Sequence, residues 1–334
     1  MAYTTHTITS ITEIPALWAA FAATVGFTVD TSVAGAPTIK HPSYAAGLPF
    51  RMQTNITGMN HEIRVDSATV VTNVSVTRSP ITNPTLTTGG ATTSLPTKVH
   101  FIGSTTGEPF LATVVEYGFN LYRHVYVGYM EKSSSYTGGE VISGSNFITS
   151  ELSNANMTYS YLYSRSWNQP PFCVSTALEA GGVRVIHANS PNAWRRFIAT
   201  GTTDNANIQT YARTSIGVTV LGGWRDGVNT GYANSGQSNF SSSAILAPIN
   251  LLITKDVSGK TAFQPIGRVS GARMVNVRNI EPGAQVAVGS SNWVVFPVFS
   301  KRSDPFIRQA AVAAGSRWPD INNSSHEGMA YRIN

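Results

Sequence analysis

RHVYVGYMEKSSSYTGGEVISGSNF, residues 123–147, is the stretch whose reading decides the fold. It brings together a histidine, an adjacent Glu131–Lys132 pair and a Gly138–Gly139 pair, the ingredients of a small site. Its period is that of a strand. Tyr122, His124 and Tyr126 alternate with Arg123, Val125 and Val127, which places the two sets on opposite faces of a half-buried strand. Gly128 permits a bulge or a close backbone approach. SSSY then runs into TGG, a turn, before EVISGSNF resumes. This is the grammar of a β-hairpin, with Glu131 and Lys132 near a polar strand end.

The same texture extends outward from residue 33 onward. HEIRVDSATVVTNVSVT, TKVHFIG, FLATVVEYG, MTYSYLYSR and GGVRVIHA are rich in Val, Ile, Thr and Tyr, as are TSIGVTVLGG, ILAPINLLI, ARMVNVRNI and NWVVFPVFS. Gly, Pro, Asn and Ser punctuate them. Strands at this spacing, without intervening helical patterns or a fixed repeat, predict a mainly β chain: an antiparallel β-sandwich, jelly-roll-like or related. NIEPGAQVAVGSSNWVVFPVF (279–299) reads strand, Pro-Gly turn, strand, Gly-Ser-Ser-Asn turn, strand. In it Trp293, Val295 and Pro297 share one parity, and Val294, Phe296 and Val298 the other. A strand apolar on both faces belongs inside a sandwich or under another subunit.

One helix is expected, over residues 12–26. Ile14, Leu17, Trp18, Phe21 and Val25 form a single apolar stripe. Thr12 is a candidate cap, Glu13 suits the first turn, Pro15 is tolerated there, and Gly26 supplies the stop. FTVDT after it reads as a short strand. The expected division is an N-terminal arm and helix over 1–31, one or more large β-sandwich domains over 32–300 with a sub-boundary near 150–170, and a C-terminal arm over 301–334. RQAAVAAGSRW (308–318) suits a short helix in that arm. SPITNPTLTTGGATTSLPT (79–97) and NTGYANSGQSNFSSS (229–243) read as loops, either exposed binding loops or connectors ordered by a neighbouring subunit.

Charged residues make up only 12% of the chain, about half the usual share. Thr, Ser, Asn and Gly take their place, a composition that suits a surface largely covered by neighbouring subunits. The net charge of +6 is scattered, and its closest clusters are Arg195–Arg196 and Lys301–Arg302. A nucleic-acid partner is therefore not expected. No stretch is long and apolar enough to predict a membrane span. No Lys or Arg precedes Lys40, which argues against a conventional signal peptide. Cys173 is the single cysteine, so neither an internal disulfide nor a thiolate cluster is expected.

Catalytic patterns fail in turn. There is no GxxxxGK[ST], GxGxxG or GxSxG, and His61–Glu62 lacks the second histidine of a zinc-protease motif because residue 65 is Val. The seven histidines are dispersed, so no metal or cofactor is predicted. Paired carboxylates for glycan cleavage are a spatial property. Asp66, Glu108, Glu116, Glu131, Glu140, Asp204 and Asp226 are the candidates, and none sits in a catalytic motif. The chain reads as a non-enzyme.

Three blocks carry a resemblance. One is Leu17, Trp18 and Phe21 in the N-terminal helix, and another is HVYVGYMEKSSSYTGG in the middle. The third runs from FSSSAILAP through PIGRV, VRNIEPG and NWVVFPVFSKRS (240–303) and is followed by GMAYRIN at the end. Together they resemble structural proteins of tailed bacteriophages, of the tail, baseplate or neck type. The resemblance covers most of the chain and brings no catalytic residues with it. It implies a virion component made in the bacterial cytoplasm, whose partners are copies of itself and other virion proteins. Trp18, Phe21, Tyr126, Trp293, Phe296 and Phe299 are then the core or interface candidates. The alternative is a tail-fibre or spike module that grips host-surface polysaccharide, stacking Tyr159, Tyr161, Tyr163, Trp167, Trp224 or Tyr232 on sugar rings.

Overall fold

Strand β1 (Ala2–Thr7) leads into a 3-10 turn (Ile11–Glu13) and helix α1 (Ile14–Thr24). The cap is Ser10 rather than the expected Thr12. The Ser10 hydroxyl accepts from Thr12 N–H at 3.2 Å, and Glu13 Oε1 accepts from Ser10 N–H at 2.8 Å, a reciprocal capping box. The extra turn that starts at Ile11 moves the cap two residues upstream. Gly26 stops the helix with φ at 84°. Phe27 N–H reaches Ala22 O at 3.0 Å and Gly26 N–H reaches Ala23 O at 3.2 Å, the paired closure that a left-handed glycine permits.

The structure is a computed structural model that describes residues 2–44, 49–57, 60–67, 79–80, 98–104, 107–118, 121–133, 138–144, 194–196, 210–214, 220–222, 246–257, 260–277, 280–297 and 327–334. Strands β2 (Thr28–Asp30), β3 (Thr38–Lys40), β4 (Phe50–Thr57), β5 (Asn60–Ser67) and β6 (Ser79–Pro80) form a five-stranded antiparallel sheet in chain order. A larger sheet contains β1, β7 (Lys98–Ser104), β8 (Phe110–Gly118), β9 (Leu121–Lys132) and β10 (Gly138–Gly144). It continues through β11 (Trp194–Arg196), β12 (Thr210–Thr214), β13 (Val220–Gly222), β14 (Ala247–Val257) and β15 (Lys260–Asn276). It is completed by β16 (Gln285–Val288), β17 (Ser291–Pro297) and β18 (Glu327–Arg332).

The main path of the larger sheet runs β1-β7-β8-β9-β15-β18-β17-β16. The opening stretch of sequence is the hairpin β9–β10, paired from Glu140↔Tyr129 to Gly144↔Val125. Beyond it the same edge of β9 pairs with β15, at Val269↔Met130 and Gly267↔Lys132, so the sheet forks there. It also curls. The rings of His100 on β7 and Phe296 on β17 lie 4.8 Å apart, although β8, β9, β15 and β18 separate those strands along the path.

The curl encloses an inner core. Ile102, Phe110, Tyr126 and Met130 from one half meet Val269, Met274, Phe296 and Tyr331 from the other. On the outside of the first half, α1 and the smaller sheet build a second core. Trp18, Phe21, Phe50 and Met52 cover Phe101, Leu111, Val125, Val127 and Tyr129. β9 therefore faces apolar residues on both sides, and every side chain from Tyr122 to Met130 is buried. That corrects the half-buried reading, because the helix and small sheet cover the face expected to be wet.

β17 is buried on both faces as well. Val294 and Phe296 join the inner core, while Trp293 and Val295 meet Val275, Val277 and Ala330 on the far side. GMAYRIN, expected in a C-terminal arm, supplies β18, an inner strand between β15 and β17. Its Met329, Ala330 and Tyr331 are fully buried, since both parities of the segment are apolar. Residues 2–7, expected in an N-terminal arm, are likewise a strand of the larger sheet. β15 is longer than the expected ARMVNVRNI, and Gly271 lets it bend: φ is +56°, and a Cβ there would stand 1.9 Å from the Phe110 ring. The expected sub-boundary near 150–170, the 229–243 loop, the 308–318 helix and Cys173 lie outside the described residues, as does the 79–97 loop beyond Ser79 and Pro80.

Candidate functional site

Two polar clusters stand out against the apolar interior of the curl. The first is centred on His124, at the middle of β9 and fully buried. Its Nε2 lies 2.8 Å from Pro297 O, and its Nδ1 lies 2.9 Å from the Tyr331 hydroxyl. A carbonyl only accepts, so Nε2 carries the proton and Nδ1 accepts from Tyr331 O–H. Both ring nitrogens are thus engaged, and the imidazole is a strut from β9 to β17 and β18. Burial drives its pKa down to about 4, with Arg123 and His100 adding to the effect against the bond to Pro297. Nearby, the Tyr126 hydroxyl donates to Ser270 O at 2.8 Å, tying β9 to β15.

The second cluster lies where the two ends of the curled path approach each other. His100 on β7 is 7% exposed, and its Nδ1 is 2.9 Å from Thr5 Oγ1 and 3.1 Å from Tyr3 Oη. Its Nε2 faces Glu116 Oε2 at 4.0 Å, too long for a hydrogen bond. Tyr122 lies beside Glu116, Glu281 and Tyr3, and burial with these neighbours raises its pKa beyond the ordinary phenol range. The neighbouring lip is Gly283, where a Cβ would lie 4.0 Å from Tyr3 Oη and 3.8 Å from Phe296.

Hydroxyl, imidazole and carboxylate meet here in the order Thr5, His100, Glu116, but the arrangement is poor for nucleophile activation. Burial and Lys98 hold the His100 pKa at about 4, so the ring is a weak base at neutral pH. The carboxylate is also too distant to orient it. What the cluster does well is anchor the edge strand β1 over the mouth of the curl and present phenol, hydroxyl and carboxylate groups there.

Glu131, singled out in the sequence, pairs with Arg268 across β9 and β15. The pair is surface-facing, with side chains 24% and 52% exposed, a polar end to the strand. Glu140 lies 1% exposed on β10. Among the described residues no group of three His, Cys, Asp or Glu is placed to hold a metal, and no helix is long and apolar enough to cross a membrane.

Of the residues expected in core or interface, Trp18 and Phe21 lie in the outer core, Tyr126 and Phe296 in the inner core, and Trp293 in the third cluster. All five are buried within the chain itself. Phe299 lies outside the described residues, as do Tyr159, Tyr161, Tyr163, Trp167, Trp224 and Tyr232. Sequence reasoning missed Tyr3, Thr5, His100, Tyr122 and Tyr331 as partners. The only signal was their alternation within strands, which gives the face but not the partner about 95 to 207 residues away. No protein-family model matches the chain, and no curated protein matches it as a relative.

Proposed function

We propose that this chain is a structural component of a tailed-phage virion, of the tail, baseplate or neck, working through subunit interfaces in a symmetric assembly. The observation that carries the reading is the state of the sheet's ends. Among the described residues β1 (AYTTHT) and β16 (QVAV) terminate the main path, and neither contains a charge or a proline. Proteins that stay monomeric blunt such edges with Lys, Pro or bulges, because unpaired backbone groups recruit other strands. A chain with 12% charged residues and two such edges suits a crowded particle.

The finer fold reading belongs here too. The two halves of the curled sheet face one another across the inner core, which supports an antiparallel β-sandwich, jelly-roll-related, with the helix and small sheet as an added layer. The partners are copies of the chain and other virion proteins, and the place is the virion after synthesis in the bacterial cytoplasm. Quantitative proteomics of gradient-purified particles tests this. The chain is expected at fixed stoichiometry in particles, and its confinement to the soluble lysate would sink the proposal.

One observation favours the second reading, a spike-like module for host polysaccharide. Tyr3, Thr5, Glu116 and Glu281 at the mouth of the curl supply a ring and acceptors of the kind that sugar hydroxyls use. Binding on a glycan array that Tyr3→Ala removes would support it.

A further inference from the structure

We infer that the outer face of β15, β18 and β17 carries an oxyanion-binding site, in which Arg273 and Arg332 converge on one carboxylate or phosphate group beside Trp293. The inference is independent of both readings above. Residues opposed in an antiparallel ladder share a face. Arg332 is opposed to Trp293 and Arg273 to Ala330, and both Trp293 and Ala330 belong to the third cluster, so the two arginines emerge on that side. Across β15 and β18 they are diagonal neighbours, about 7–8 Å apart at the backbone. That separation lets two long side chains meet on a single group.

The Arg273 guanidinium is held in place. Its carbon stands 5.3 Å over the Trp293 ring, and its Nη1 donates to Ala272 O at 2.8 Å and Val269 O at 3.2 Å. Among the described residues no carboxylate lies within ion-pair distance of it, and the nearby Glu131 is engaged with Arg268. Burial depresses the Arg273 pKa; Glu131 opposes that, and Arg268 and Arg332 add to it. Two half-buried guanidiniums this close repel each other, and an oxyanion seated between them turns the repulsion into attraction. Planar guanidinium forks match carboxylate and phosphate oxygens. A third donor on the same face, the indole N–H of Trp293, is buried and bonded to no acceptor. Exposed Gly107 completes the cradle, since a Cβ there would stand 3.2 Å from Arg332 Nη2.

The test titrates the full chain with inorganic phosphate by calorimetry, at an ionic strength held constant with chloride. The wild type is expected to bind at one site per chain. Arg332→Gln and Arg273→Gln should each weaken binding about tenfold or more, because each removes a charged fork. Lys98→Gln removes the same charge from β7 and should bind like the wild type. Arg273→Lys, which keeps the charge and loses the fork, should also bind more weakly than the wild type. Thermal midpoints without phosphate identify any variant that has lost its fold, and a folded Arg332→Gln suffices if Arg273→Gln has done so. Polygalacturonate and neutral dextran distinguish the sources: tighter binding of polygalacturonate than of phosphate assigns the site to a polymer-borne carboxylate, and binding of phosphate alone assigns it to a phosphate group. A wild type that binds neither phosphate nor polygalacturonate overturns the inference. Binding that survives in folded Arg332→Gln overturns it too, as does equal weakening in Lys98→Gln, which would reduce the effect to overall charge.

Discussion

His124→Gln is the sharpest probe of the interior. In the folded chain His124 is neutral, with a pKa near 4 against 6.5 for the free side chain. The folded pKa is depressed, so the unfolded chain binds a proton that the folded chain refuses. The stabilisation is complete above about pH 6.5 and is lost as pH falls towards 4. At about 1.4 kcal/mol per pH unit, His124 alone removes roughly 2 kcal/mol of stability between pH 8 and pH 5. His100, also held near 4, adds a comparable loss over the same window. Glutamine donates to Pro297 O and accepts from Tyr331 O–H through one amide, but it does not titrate. Urea unfolding at pH 8, 6.5 and 5 reads the difference. The wild type should lose roughly 4 kcal/mol across that range from the two histidines, and His124→Gln about 2 kcal/mol less. Identical pH slopes for the two proteins would refute the buried, neutral strut.

Three further outcomes follow from the packing. Trp293→Ala, which empties a site 6% exposed beneath the Arg273 guanidinium, should cost about 3–5 kcal/mol by chemical denaturation. Gly271→Ala combines a φ of +56° with a Cβ inside the Phe110 ring, so it should lower the melting temperature sharply, and adding Phe110→Ala should recover part of the loss. Glu131→Gln breaks a partly exposed ion pair with Arg268 and should change stability by no more than about 1 kcal/mol, with infectivity retained.

The hairpin, the strand-rich texture and the helix were legible because each depends on local periodicity. Val125, Val127 and Tyr129 announce one face of β9, whereas Gly138 and Gly139, expected in the turn, open strand β10, with Gly139 at φ 111°. What covers a face is a tertiary matter. Nothing near residue 125 reveals that Trp18 and Phe50 pack against that side, so β9 reads as half-buried when both faces are covered. GMAYRIN at the end of the chain invites the reading of an arm, although its apolar residues in both parities are the mark of an inner strand. The cap moved from Thr12 to Ser10 because a 3-10 turn precedes the helix, and the Ser10–Glu13 spacing that signals it was present in the sequence. The cluster at His100 was illegible for a different reason. Its members come from β1, β7, β8, β9 and the segment before β16, and only the curl of the sheet brings them together.

Cryo-electron microscopy of intact particles decides whether this chain is a virion component. Symmetry-related copies of the chain are expected in the tail, baseplate or neck, with density continuous across the β1 edge into a neighbouring strand. Particles whose maps and peptide content lack the chain, while infected cells contain it, would sink the virion proposal.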